Sequence, residues 1–184
     1  MAKFLKSMLA IAATVGVSML CSPAYAQALH HPIVRGWTCT NYPADVRWIN
    51  SDGALWLQVH LNGETDEEGG FYFDLTGVKV TTLTFTAYFG PNFDNNDFYW
   101  YAYDKNDDYV DGDFTYVQIP GHPGFYNVST GNVASYFSQG AVIDDLEVEV
   151  YGDEVGTANF THWAIGGVAA TTDVHVWDKS CGSG

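Results

Sequence analysis

Short segments in which apolar and polar residues alternate recur along almost the whole chain. Side chains of an extended strand point to its two faces in turn, so each such segment predicts a strand with one buried face. Most of the segments are bounded by Gly, Asn, Asp or Pro, as strands usually are. They are Ile33–Thr40, Val46–Asn50, Ala54–Leu61, Gly70–Leu75, Val78–Phe89, Phe98–Asp104, Asp113–Ile119, Gly124–Val128, Ala141–Tyr151, Ala158–Ile165 and Thr172–Asp178.

The succession of strands predicts an all-β fold. Only Asn132–Gln139 is expected to be helical, and it is short. So many strands around one core predict a single antiparallel β-sandwich, of jelly-roll type, with one short helix. A closed barrel is the alternative. No internal repeat or linker divides residues 27–184, so we expect them to form one domain.

The first 26 residues have the pattern of an export signal. Lys3 and Lys6 precede the apolar run Met8–Leu20, and Ala24-Tyr25-Ala26 matches an A-x-A cleavage site. The apolar run is short for a membrane span, although a retained anchor is the alternative. We therefore expect a secreted or periplasmic protein, of bacterial origin, without a membrane span in the mature chain.

The charge balance restricts the possible partners. The chain has 22 acidic residues and 7 lysines and arginines, a formal net charge of −15. Removal of Lys3 and Lys6 with the leader would take this to −17. Such a surface repels nucleic acid and anionic lipid and attracts cations. A hydrophobic content of 47% argues against disorder.

Two cysteines remain after the leader, near the two ends of the predicted domain. In an exported protein, Cys39 and Cys181 are expected to form a disulfide, with two free thiols as the alternative. A bridge between them would place the first and last strands side by side.

An aromatic strand, Phe98–Asp104, provides the candidate ligand site. One face would carry Tyr99, Tyr101 and Tyr103, and the other would carry Phe98, Trp100 and Ala102. We expect the second set to enter the core and the tyrosines to stack on sugar rings, with Tyr116 of the following strand extending the platform. The alternative is that these aromatics only reflect strand propensity.

Acidic loops flank this strand and suggest calcium, which prefers oxygen ligands. The main candidate ligands are Asp104, Asn106, Asp108, Asp111 and Asp113; a second cluster contains Asp94 and Asp97. The main cluster is not an EF-hand, because Tyr109 stands where the invariant Gly belongs. The alternative for the main cluster is a solvated acidic hairpin.

No catalytic signature is evident in the chain, and we predict a protein that is not an enzyme. Thr65–Glu68 and Asp144-Asp145 are expected to be solvated surface acid. Glu147 and Glu149 share one face of Ala141–Tyr151. They are also expected to be solvated, and would resemble a glycoside hydrolase pair only on a concave face.

Two functional hypotheses follow. The first is a secreted, non-catalytic, calcium-associated β-sandwich that binds a polysaccharide or glycan through the aromatic strand face. The second is a structural subunit of a cell-surface fibre or extracellular (biofilm) matrix, which self-associates through strand edges. The Thr-rich segment Val78–Phe89, with one charge at Lys79, is the predicted edge.

Overall fold

The computed structural model describes residues 31–75, 82–93, 98–106, 108–138 and 142–181. The predicted leader, Asp94 and Asp97 lie outside these ranges. The described residues form thirteen strands and one short 3-10 helix, Val133–Ser135. In chain order the strands are β1 (Ile33–Cys39), β2 (Asp45–Ser51), β3 (Ala54–Leu61), β4 (Glu67–Asp74), β5 (Leu83–Phe89), β6 (Phe98–Asp104), β7 (Tyr109–Gly112), β8 (Thr115–Gln118), β9 (Phe125–Ser129), β10 (Ile143–Gly152), β11 (Gly156–Ile165), β12 (Val168–Ala169) and β13 (Thr171–Lys179).

The strands form two sheets that pack against each other, which confirms the predicted all-β sandwich and excludes the closed barrel. The first sheet has six strands in the order β13-β1-β4-β10-β6-β7. The second has the order β2-β3-β11-β5-β9-β8, with β12 beside β11. The chain passes from one sheet to the other at most of its connections, as expected for jelly-roll connectivity.

The core between the sheets is largely aromatic. Phe71 of β4, Phe85 of β5, Phe98 of β6 and Phe160 of β11 are all at most 3% exposed. Contacting rings in this group have centroids 5.2 to 5.9 Å apart. Each such pair contributes about 0.5–1.5 kcal/mol beyond the burial of its apolar surface. This packing determines which side of each strand faces inward.

The disulfide and the ends of the domain agree with the sequence analysis. Cys39 is bonded to Cys181. The first strand, β1, pairs in parallel with the last strand, β13, and Cys39 lies opposite Lys179. The bridge therefore holds β13 as an edge strand of the six-stranded sheet.

The predicted edge strand is wrong for the part that the structure describes. Strand β5, which is the described end of Val78–Phe89, pairs with β11 on one side and β9 on the other. Leu83, Phe85 and Ala87 are buried in the core. Thr84 and Thr86 occupy the opposite face of this internal strand, because a strand needs only one apolar face.

Two local predictions also change. The segment Asp104–Asp113, predicted as a loop, contains strand β7, which pairs with β6. The predicted helix Asn132–Gln139 is reduced to the 3-10 turn Val133–Ser135, which buries Val133. Within the described ranges, no helix has the length and apolar character needed to cross a bilayer.

Candidate functional site

The outer face of the six-stranded sheet carries aromatic and acidic side chains in adjacent rows. The register places Tyr72 of β4, Glu147 of β10 and Tyr101 of β6 side by side. Residues that oppose each other in a ladder share one face. The neighbouring rows are Gly70–Glu149–Tyr99 and Asp74–Asp145–Tyr103. Strand β10 therefore brings a line of carboxylates between Tyr72 of β4 and the tyrosines of β6.

An open depression of about 690 Å³ lies on this face. Five strands of the sheet contribute to its lining. The lining residues are Trp37, Tyr72, Tyr103, Asp144, Asp145, Glu147, Trp177, Asp178 and Lys179. Aromatic rings with a few convergent polar groups are the usual composition of a small-molecule or glycan site.

A bulge in β10 turns two successive acids toward the depression. The pairing with β6 shifts between Ile143, which opposes Asp104, and Asp145, which opposes Tyr103. Ile143 consequently enters the core, while Asp144 and Asp145 both line the depression. Two residues opposing one are what a bulge produces. The prediction that these acids are ordinary solvated surface acid is wrong for Asp145, which is half-buried.

Lys179 spans the depression from the edge strand to the middle of the sheet. Its Nζ donates to both carboxylate oxygens of Glu147 at 2.5 Å. The same Nζ lies 4.8 Å from the centre of the Trp37 ring. The Glu147 side chain is 7% exposed and that of Lys179 is 46% exposed. An ammonium group is thus held by a carboxylate and by an aromatic face together.

Two buried polar atoms in the lining have no hydrogen-bond partner among the described protein atoms. They are Nε1 of Trp37, which can only donate, and Oδ1 of Asp145, which can accept. Trp37 is 1% exposed. Buried polar groups are normally paired, so these two atoms are potential hydrogen-bonding groups for a ligand. Neither is exposed to solvent, and Nε1 of Trp37 packs against Gly70, so a ligand reaches them only when the covering side chains move.

The carboxylates of β10 differ in their protonation behaviour. Burial, and then repulsion from Glu147, raises the pKa of Asp145 to about 6. Burial, and then repulsion from Glu68 and Glu147, raises the pKa of Glu149 to about 7. Lys179 opposes both shifts. Asp145 and Glu149 therefore take up protons between neutral and mildly acidic pH.

The tyrosine stripe of β6 lies on the same face, next to the depression. Tyr99 is 38% exposed, while Tyr101 and Tyr103 are half-buried. Burial, and then the charge of Glu149, raises the pKa of Tyr101 to about 12, so its hydroxyl stays protonated. Phe98, Trp100 and Ala102 occupy the core, as the alternation predicts.

Tyr116 does not extend this stripe. It lies on β8 in the other sheet, and its ring packs against Phe89 and Tyr126 at the edge of the core. Burial raises the pKa of Tyr116. Its proximity to β6 in the sequence is misleading, because the chain changes sheet between β7 and β8.

The predicted calcium ligands do not form one site. Asp104 is 5% exposed, and its carboxylate accepts hydrogen bonds from the backbone N–H groups of Asn106 and Asp108 and from the Asn106 side chain. Asp111 opposes Tyr101 on the outer face, whereas Asp104 shares the core side of β6 with Ala102.

Calcium ligands lie 2.3–2.6 Å from the ion, which two carboxylates on opposite sides of a sheet do not allow. Asp113 lies beyond the end of β7, and its backbone carbonyl accepts a hydrogen bond from Nε1 of Trp100. The residues present therefore do not fit the five-ligand site that the sequence suggested.

Among the residues that the structure describes, one group of potential metal ligands converges, namely Cys39, Glu68 and Cys181. Both sulfurs belong to the disulfide and are not available as thiolate ligands. Glu67 was expected to be solvated but is 1% exposed. Its carboxylate accepts hydrogen bonds from the backbone N–H groups of Asn62, Gly63 and Glu64, so its role is structural.

Sequence reasoning missed several residues of the depression, above all Trp37, Tyr72, Trp177 and Lys179. One signal for three of them was present. Because the predicted disulfide joins Cys39 to Cys181, Trp37, two positions before the first cysteine, and Trp177, four positions before the second, were already placed near each other. Lys179, one of few basic residues, belongs to the same segment.

Comparisons of the chain with protein-family models, with curated proteins and with solved structures found no match. The chemistry of the depression and of the tyrosine stripe is therefore the basis for an inference about function.

Proposed function

We propose that this protein binds a saccharide chain in the depression and along the adjoining tyrosine stripe, without cleaving it. The observation that carries the proposal is the unpaired donor of Trp37 and the unpaired acceptor of Asp145, buried beside aromatic rings in an open depression. Sugars present C–H faces for stacking and hydroxyl groups that both donate and accept hydrogen bonds.

The geometry suits a chain rather than a single sugar. Trp177 is 47% exposed at the edge-strand side of the depression, and Tyr103 lines its opposite side. From Tyr103 the stripe continues to Tyr99, four residues along β6, or roughly 13 Å at ~3.3 Å per residue. Aromatic surface thus extends in a line from the depression, as stacking of successive sugar rings requires.

Binding is a better interpretation than hydrolysis of a glycosidic bond. A hydrolase needs two carboxylates free to act on opposite sides of the scissile bond. Both oxygens of Glu147 are occupied by Lys179. Asp145 and Glu149 flank Glu147 on the same strand and face, so the three acids approach a ligand from one side.

A secreted location is part of the same proposal. Secretion to an oxidising compartment is consistent with the disulfide. Of the predicted calcium ligands, only those in the turn Asp104–Asp108 remain in the proposal. A calcium titration that leaves the melting temperature unchanged would remove them as well. Assembly into fibres is less well supported, because β5, the strand predicted to be at an edge, lies inside its sheet.

A polysaccharide panel tests the proposal. The folded protein is screened by isothermal titration calorimetry, followed by the variants Trp177→Ala and Tyr103→Ala. We expect each variant to weaken binding by about tenfold, since one stacking ring is lost. The matched control is Val117→Ala, which changes an apolar residue, 60% exposed, on β8 of the other sheet.

Two results would overturn the proposal. One is the absence of binding to every saccharide, and the other is a pair of variants that bind as tightly as the control. Light scattering of the same samples separates the alternative, because a fibre subunit would form large species without any saccharide.

A further inference from the structure

The depression is strongly acidic, although it contains one lysine. Asp144, Asp145, Glu147 and Asp178 line it, and Lys179 is the single basic residue among the lining residues. Glu149 lies beside Glu147 on the same face. A site of this charge repels anionic saccharides and favours a ligand that carries positive charge.

Lys179 shows how such a positive charge is accommodated. Its ammonium group is held by both oxygens of Glu147 and lies over the ring of Trp37. A carboxylate and an aromatic face together are a typical environment for an ammonium ligand. Because the Lys179 side chain is 46% exposed and flexible, an ammonium group of a ligand can replace it.

The neighbouring position on β10 has an acceptor that the protein leaves unpaired. Asp145 and Glu147 are alternate residues on one strand, with Cα atoms roughly 7 Å apart. Oδ1 of Asp145 has no hydrogen-bond partner, whereas the oxygens of Glu147 are occupied. Nε1 of Trp37, in a residue that is 1% exposed, is an unpaired donor in the same depression.

We propose that the ligand is a saccharide chain with primary ammonium groups, of the glucosamine type. One ammonium group binds Asp145, and the next displaces Lys179 from Glu147 above Trp37. Departure of Lys179 uncovers Trp37, and a sugar hydroxyl or ring oxygen then accepts the hydrogen bond of its Nε1. The inference rests on the proposed saccharide function and names the class of saccharide.

A lysine-rich peptide offers the same charge but fits these groups less well. The ammonium group of a lysine ends a long alkyl chain and has no acceptor close to it. An amino sugar carries hydroxyl oxygens on the same ring as its amine, within reach of a donor beside the carboxylate. The flat faces of Tyr103 and Trp177 also match sugar rings better than alkyl chains.

The test compares four ligands of equal length by calorimetry, at a pH where the glucosamine amines are charged and Asp145, whose pKa is about 6, is still ionised. They are oligomers of glucosamine, of N-acetylglucosamine, of glucose and of lysine. We expect the glucosamine oligomer to bind at least about tenfold more tightly than the N-acetylglucosamine oligomer, because one charge-assisted hydrogen bond is lost on acetylation.

The outcomes separate this inference from the proposed function. Equal affinity for the glucosamine, N-acetylglucosamine and glucose oligomers would overturn the amino-sugar preference and leave saccharide binding intact. Equal affinity for oligolysine would also overturn it, because the face would then accept any polycation. Binding to none of the saccharides would overturn both.

Variants test whether Asp145 and Lys179 are responsible. Asp145→Asn should reduce the preference for glucosamine over N-acetylglucosamine to about twofold or less. Glu154→Gln, which removes one charge from an exposed turn, should leave the preference unchanged. Equal effects of the two substitutions would mean that total charge alone attracts the ligand, and would overturn the site.

Lys179→Met provides an independent test, because the affinity is expected to rise rather than to fall. If a ligand ammonium must displace Lys179, removal of the lysine should raise the affinity for the glucosamine oligomer by about threefold to tenfold. An affinity that falls, in a variant whose circular dichroism shows a folded protein, would contradict the displacement.

Discussion

Two acidic stretches of this chain have similar composition and opposite roles. At the β6–β7 turn, the carboxylate of Asp104 accepts three hydrogen bonds from its own turn. On β10, Asp145 has an unpaired oxygen and Glu147 is bound to a lysine from a distant strand. The first stretch suggested a ligand site in the sequence, and the second suggested solvated surface.

The difference lies in what surrounds the acids. A carboxylate at a turn has backbone N–H groups within two to four residues, and they satisfy it locally. A carboxylate in the middle of a sheet also has neighbours from other strands, here Tyr72, Tyr103 and Lys179. Acids become available to a ligand where long-range neighbours, rather than the local backbone, form their environment.

The largest expected effect comes from removing the disulfide, which anchors β13, the strand that carries Lys179. In the double variant Cys39→Ser, Cys181→Ser, β13 loses its covalent anchor beside β1. We expect the free energy of unfolding to fall by about 2–5 kcal/mol, measured by urea denaturation. Saccharide binding should weaken as well, since the stacking residue Trp177 is on β13. A variant with wild-type stability would show that strand pairing alone holds this edge.

The next effect compares a lysine from each region. Lys179→Met leaves the nearly buried Glu147 carboxylate without its partner, so we expect a loss of about 1–3 kcal/mol in stability. Lys105→Met, an exposed lysine at the β6–β7 turn, should change stability by less than about 0.5 kcal/mol. Chemical denaturation of both variants decides the matter, and similar losses would contradict the distinction between the regions.

Substitution of one acid from each region should affect different properties, namely stability in one variant and saccharide binding in the other. Asp104→Ala removes three hydrogen bonds of a buried carboxylate, and we expect it to cost about 1–2 kcal/mol of stability with saccharide binding intact. Asp145→Asn should weaken saccharide binding without loss of stability, because it removes a partly buried charge. Thermal melts and calorimetry on both proteins provide the comparison. Loss of saccharide binding in Asp104→Ala would return the ligand site to the hairpin.

The smallest effect is a pH dependence that comes mainly from two carboxylates of β10, although burial also raises the pKa of Glu68 on β4. Since the pKa values of Asp145 and Glu149 are raised in the folded protein, to about 6 and about 7, folding favours their protonated forms. Their contribution to stability is therefore present near pH 4 and is lost as the pH rises through about 7. We expect a difference of about 1 kcal/mol after allowance for partial exposure.

Four titratable side chains face these two carboxylates and also act on their protonation, namely Glu68, Glu147, Lys179 and Tyr103. The double variant Asp145→Asn, Glu149→Gln should flatten the dependence, as urea midpoints across the range would show. An unchanged dependence would assign it to other groups. Below this range, protonation of Asp173, whose pKa the bond to Arg35 lowers, acts in the opposite direction.

Much of the fold could be predicted because its signals are local. The alternation in β6 predicted that Trp100 enters the core and that Tyr101 faces outward. The positions of Cys39 and Cys181 predicted that the first and last strands are neighbours. Prediction failed where the sequence pattern depends on distant pairing. One example is the bulge in β10 that places Asp144 in the depression, which depends on the pairing with β6. Another is the internal position of β5, which depends on its pairing with β11 and β9.

By itself, the sequence determined the strand content, the core side of β6 and the disulfide, because period-two alternation and cysteine position are local properties. The tertiary structure decided which strands are neighbours, and hence that Lys179 reaches Glu147 and that Tyr116 packs at the edge of the core from the other sheet. Register and sheet order arise from contacts between residues far apart in the chain. The composition of the depression is therefore a property of the folded sheet rather than of any one segment.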